Sequence, residues 1–253
     1  ADLDFVEKSE AKVHAGIAKL LKAYIFQSLV DHFGDIPFSE ALKGASEGNF
    51  APKYDKDQAV YDGLIPLIDE GIELLHASGS VGAEDFIYGG DVDKWEKFGN
   101  SLKLRVLMRQ SNVKDVSAQV KTLVSAGNFI ETNGENAAMP FSGVSGSENP
   151  MYASFERSLG LFYVASNSTL NVLQDLNDPR LPKFYNVATS SKNFVGIAQG
   201  SIDNEPFTNT KANYSVASSF AYGAANSVIL MSSWEVWFLR AEAAARFGTA
   251  DDA

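Results

Sequence analysis

Ile87-Tyr-Gly-Gly-Asp91, followed by Lys94-Trp95 and then Asn100-Ser-Leu-Lys-Leu-Arg105, reads as a tight turn that opens a helix. Gly89 and Gly90 suit a turn with positive φ, which costs glycine no Cβ clash. Asp91 or Asp93 then caps the helix, and Trp95, Phe98, Leu102 and Val106 fall on one side of it at helical spacing. Asn100 and Arg105 lie beside that apolar face, so hydrogen bonds to neighbouring helices are expected of them.

The same periodicity extends outward. Val13, Ile17, Leu20, Leu21, Tyr24, Ile25 and Leu29 predict a helix from residue 10 to about 33, ended by Gly34 and Pro37. Val60, Leu64, Leu67, Ile68, Ile72 and Leu75 predict a second from Asp57, with Pro66 expected to kink it. A shorter helix from Lys114 to about Ala126 ends at Gly127, and Trp234 to Phe247 reads as another, closed by Gly248. Thr249 to Asp252 resembles the cap of one more helix. Helix pairs joined by loops predict a mainly α fold of TPR-like pairs. Residues 130–232 differ: they are rich in Gly, Ser, Asn and Pro, with one clear short helix near Ser168–Leu176. The expected organisation is a helical scaffold over 1–128, a large loop-rich insert and recognition region over 129–232, and the start of a further helical pair over 233–253.

Composition narrows the function. The net charge of −11 repels phosphate backbones, so no nucleic-acid partner is expected. With no cysteine, disulfides, thiol catalysis and thiolate metal sites are excluded for these residues. No apolar run approaches the roughly 20 residues needed to cross a bilayer. His14, His32 and His76 lack metal-ligand spacing, and Asp69, Glu70 and Glu73 fit a solvated helix face. Asp203-Asn-Glu205 lacks the alternation of a calcium loop and reads as a polar turn. We find no nucleophile elbow, phosphate loop or dinucleotide fingerprint, so no enzyme, cofactor or metal is expected.

Four segments in order resemble the SusD/RagB family: Asp31-His-Phe-Gly-Asp-Ile-Pro-Phe38 with Pro52-Lys-Tyr-Asp55 and Val60-Tyr61; the 87–105 stretch; Asp178-Pro-Arg180; and Phe238-Leu-Arg-Ala-Glu-Ala243. The resemblance implies TPR-like helical pairs in an outer-membrane lipoprotein on the cell surface of Bacteroidetes-type bacteria. It also implies noncovalent capture of a glycan, or in some members a peptide, for delivery to a SusC-like TonB-dependent transporter. Members carry an N-terminal signal and a lipidated cysteine and continue past the Ala-Glu-Ala helix. These 253 residues are therefore expected to be a portion of a longer chain, with contact to the membrane only through an anchor outside them.

The residues of the four segments read mainly as structural, so ligand contacts are sought among loop aromatics. Sugars present apolar C–H faces and polar edges, which suit exposed rings beside amides. Asn149, Tyr152, Phe155 and Arg157, then Phe162, Tyr163 and Asn167, form one cluster; Tyr214, Phe220, Tyr222 and Asn226 form a second. The ligand-binding candidates are Asn149, Tyr152, Phe155, Arg157, Tyr163, Asn167, Tyr214 and Tyr222. Three rivals remain open at this point. A peptide ligand would use fewer stacked rings, a protein-interaction scaffold would show a continuous apolar groove, and a hydrolase would need two facing carboxylates.

Overall fold

The computed structural model describes residues 11–155, 163–200 and 211–249. It is mainly α-helical. Helix α1 spans Lys12–Phe33 and α2 the single turn Gly44–Glu47; α3 spans Asp57–Leu75, α4 Val92–Gln110 and α5 Ser117–Ala126. Among the described residues four short helices follow: α6 Pro150–Ser154, α7 Asn167–Asp175, α8 Leu181–Phe184 and α9 Ser219–Tyr222. Helix α10 spans Ser233–Phe247. Short strands β1 (Ala137–Met139) and β4 (Val228–Met231) form one two-stranded sheet. Strands β2 (Tyr185–Asn186) and β3 (Val216–Ala217) form another, antiparallel with Tyr185 opposite Ala217.

The chain forms two compact units, Ala1–Ala138 with Ile229–Ala253, and Met139–Val228. In the first, α1 packs on α3, and α3 on α4. The close approach is made by glycine. A Cβ on Gly16 would lie 2.7 Å from the Gly71 carbonyl oxygen, and one on Gly71 would lie 2.9 Å from Leu20. Leu20, Leu64, Ile68, Trp95, Phe98, Leu102 and Leu107 fill the resulting core. Burying each such side chain contributes roughly 1.5–3 kcal/mol, far more than the helix propensities involved. Phe129, Ile130 and Ala137, beyond the last residue of the scaffold segment read from the sequence, are buried in this core as well. Helix α3 runs unbroken through Pro66, and Leu64 and Ile68 on either side stay fully buried.

Carboxylates latch the turns between these helices. Asp55 accepts from the Phe38 and Ser39 amides at 3.1 and 2.7 Å, beside the backbone bridge of Ile36 to Asp55. Phe38 is thereby held edge-on to Phe26 of α1, ring centroids 5.1 Å apart. Asp85 accepts from the amides of Ile87, Tyr88 and Gly90 and from the Trp95 indole at 2.7 Å. Burial pushes the Asp85 carboxyl up, but these donors outweigh it and hold it below its ordinary range. Gly89 and Gly90 take φ of +63° and +86°, and Asp91, not Asp93, caps α4 by accepting from the Lys94 amide.

Arg105 bridges helices as expected, whereas Asn100 ties its helix to the loop after α5. Buried Arg105 donates to Glu235 of α10 at 3.1 Å and stacks its guanidinium 5.0 Å from the Tyr24 ring of α1. Asn100 donates to the Asn128 carbonyl. Arg240, in the fourth segment, lies 4.2 Å over Trp237 and donates to Glu131. Asp69 and Glu70 are exposed and pair with Lys103 and Lys19 across to α4 and α1. Each histidine has a separate polar partner: His14 meets Glu84, His32 the Ser28 carbonyl, and His76 Glu96.

Candidate functional site

The second unit is built from short segments, and its rings are placed by turns. Asn149 caps α6, accepting from the Met151 and Tyr152 amides at 2.8 and 3.3 Å, with Pro150 at the first helical position. One turn of α6 puts Tyr152 and Phe155 on one face, three residues apart. Ser219 to Tyr222 forms another single turn, α9, closed by the Asn226 side chain, which donates to the Ser219 and Phe220 carbonyls.

These turns join rings from both sequence clusters. Tyr222 stacks on Phe155 at 5.0 Å and 27° and on Tyr152 at 6.4 Å and 30°; Phe155 lies 4.8 Å from Tyr163. Tyr152, Tyr222, Phe155 and Tyr163 thus form one ladder in which each ring is inclined by 27–30° to the next. Separations of this size are those of offset aromatic pairs, which contribute beyond the area they bury. Tyr163, at the end of the ladder, is 48% exposed and presents a ring to solvent.

The other candidates are placed differently. Asn149 is 5% exposed, and its amide nitrogen donates to the Asn226 carbonyl at 2.8 Å, so its side chain is committed to backbone. Asn167 begins α7, its amide bonded to the Ile197 carbonyl. Tyr214 is half-buried and follows the 3-10 turn Lys211–Asn213. Next to it, fully buried Ser215 ties the Ala165 and Val195 segments together through backbone bonds of 2.8 and 2.7 Å. Asn167 and Tyr214 therefore flank one junction, with Tyr163 two residues from Ala165. Phe220, 65% exposed, faces Phe184 of α8 at 6.1 Å, a partner the sequence reading did not single out. Arg157, Phe162 and the Asp203-Asn-Glu205 turn lie outside the described residues, as do most of Thr249–Asp252.

Arg180 is committed to its neighbour Asp178. It folds back on Asp178 with bonds of 2.6 to 3.1 Å and holds that carboxyl down at about 2, through side-chain bonding first and the Arg180 amide second. In the first unit, a groove of about 480 Å³ runs between α4 and α10. Half of its lining is charged: Arg105, Arg109, Arg246, Glu235 and Glu242 stand beside apolar Met108, Phe238 and Leu239 and polar Ser111 and Asn112. Glu235 pairs with Arg105, and Glu242 with Arg246 at 2.7 Å. That is neither a continuous apolar channel nor a pair of carboxylates facing across a cleft. Among the described residues no cluster of His, Asp and Glu is placed to hold a metal ion, and no helix is long and apolar enough to cross a membrane.

The comparisons agree with this architecture. A family model described as "SusD-like_2: Starch-binding associating with outer membrane" matches residues 2–253. Among solved structures, a SusD homologue from Bacteroides uniformis is 28% identical with a TM-score of 0.79, covering 97% of this chain and 51% of that one. A SusD/RagB family protein from Bacteroides thetaiotaomicron is 28% identical with a TM-score of 0.77, covering 94% of this chain and 50% of that one. A chitin-binding protein is 27% identical with a TM-score of 0.80, covering 98% of this chain and 55% of that one. This chain spans about half the length of these structures. No curated protein matches it. With helical pairs, signature turns and a family match along nearly its whole length, the chain belongs to the SusD-like family, whose description is one of starch binding in association with the outer membrane.

Proposed function

We propose that the protein captures an oligosaccharide noncovalently at the cell surface, lays it against the ring ladder of the second unit, and passes it to a SusC-like TonB-dependent transporter. The observation that carries this reading is the joining of Tyr152, Tyr222, Phe155 and Tyr163 in one ladder. Half-exposed Tyr163, at the end of the ladder and supported by the stacked rings behind it, offers a ring to the C–H side of a sugar, while half-buried Asn167 and Tyr214 supply polar edges nearby. The family description and the chitin-binding relative support a glycan over a peptide. Surface anchoring and the transporter partner come from the family alone.

The test is retention on insoluble starch and chitin, with a peptide column as comparison. Glycan retention lost in Tyr152→Ala and Tyr222→Ala, with folding kept, supports the reading. Retention on peptide alone turns it toward a peptide-capturing member. Glycan retention unchanged in both variants moves the ligand face elsewhere. Copurification with a TonB-dependent transporter from outer membranes tests the delivery step.

A further inference from the structure

We infer that Asn149 and Asn226 form a clasp that positions Tyr222 against Tyr152 and Phe155, setting the register of the ladder. This rests on the ladder being the ligand face. Helices α6 and α9 are five and four residues long, too short to hold themselves. Their relative placement depends on links between them, and the two asparagines supply these. The Asn149 carboxamide oxygen takes two amides of α6 while its nitrogen donates to the Asn226 carbonyl at 2.8 Å. The Asn149 backbone amide donates to the Ala224 carbonyl, also at 2.8 Å. Asn226 then reaches back with its own side chain to the Ser219 and Phe220 carbonyls of α9, at 3.3 and 2.9 Å. Each ring-bearing turn is thus closed by an asparagine, and the two asparagines are bonded to each other.

The chemistry at 149 calls for an amide. Its oxygen must accept from a helix start and its nitrogen must donate to a carbonyl, and those partners fix which end is which. Aspartate would keep the cap but turn an oxygen toward the Asn226 carbonyl. Serine would also keep the cap but is too short to reach across. Both residues cap helices about as well as asparagine, so these variants separate the clasp from the cap.

The experiment is amide hydrogen exchange on wild type, Asn149→Ser and Asn149→Asp, read over segments 150–155 and 219–222, with maltoheptaose and chitohexaose titrated in parallel. The clasp requires exchange at 219–222 to quicken about tenfold while 150–155 stays protected, and sugar affinity to fall by about tenfold through lost preorganisation. Exchange at 219–222 equal to wild type in Asn149→Ser overturns it, leaving Asn149 as a cap alone. Should Asn149→Asp unfold the unit by burying a charge, Asn149→Ser carries none, and Asn226→Ala breaks the link from the other side. Tyr222→Ala serves as the separate control. Unchanged sugar binding in that variant defeats the ladder as ligand face, whereas the exchange result judges the clasp without any ligand.

Discussion

The rings of Phe155 and Tyr222 lie 5.0 Å apart and 27° from parallel, although they come from opposite ends of the second unit's sequence. Tyr222 also stacks on Tyr152, so among the described residues it is shared by two of the ladder's pairs, whereas Tyr163 belongs to one. At about 0.5–1.5 kcal/mol per pair, Tyr222→Ala should destabilise the second unit by about 1–3 kcal/mol. Tyr163→Ala, which removes one pair from a ring already half in solvent, should cost about 1 kcal/mol or less. Denaturant titration of both variants followed by near-ultraviolet circular dichroism checks the order; equal losses would mean that the ladder contributes little.

Asp85 organises the signature turn from a position two residues before it. Replacing it with alanine leaves three backbone amides and the Trp95 indole without their acceptor. Several donors orphaned at a partly buried turn should lower stability by about 2–4 kcal/mol. Gly90→Ala should be at least as damaging. Its φ is +86°, and an added Cβ would meet the Val81 carbonyl oxygen at 1.9 Å, so backbone must move. Thermal melts decide both cases, and a Gly90→Ala protein melting like wild type would contradict the turn geometry.

The two signature arginines should behave oppositely. Arg105 is buried, paired with Glu235 and stacked on Tyr24, so Arg105→Lys should cost about 2 kcal/mol despite keeping the charge. Arg180 is largely exposed and bonded to its neighbour Asp178, so Arg180→Ala should leave the melting temperature unchanged. Differential scanning calorimetry of the two variants makes the comparison; a large loss at Arg180 would point to a partner beyond Asp178.

Acid should weaken the first unit in a defined window. Burial pushes the Glu135 carboxyl up, but the Lys97 ammonium and the Glu131 and Thr132 amides outweigh it and bring it down to about 2. Folding therefore keeps the proton off Glu135. Its contribution is complete above the ordinary value of 4.5 and is lost as pH falls toward 2. Denaturant midpoints at pH 6 and pH 3 should differ more in wild type than in Glu135→Gln; identical pH dependence would contradict this.

Much of the helical unit is legible in the sequence because its signals are local. Apolar spacing marks α1, α3, α4 and α10, and Gly34, Gly127 and Gly248 stop their helices where expected. The carboxylate latches are not legible. Asp55 stands in a segment that resembles the family and Asp85 looks like any loop acid, but nothing local to either says which backbone amides the fold brings to it. The second unit resists reading for a related reason, since contacts between distant turns set its geometry. Sequence placed Tyr152 and Tyr222 in separate clusters, and nothing local says that they stack. Asn149 reads from the sequence as an amide beside loop aromatics, yet its cap position before Pro150 is the signal that its side chain turns inward.

The most direct test of ligand capture by the ladder is isothermal titration of wild type and Tyr222→Ala with maltoheptaose and chitohexaose. Saturable binding of at least one sugar, weakened tenfold or more in a folded Tyr222→Ala protein, is the expected result. Sugar binding of equal strength in both proteins, or binding by neither, would contradict the account.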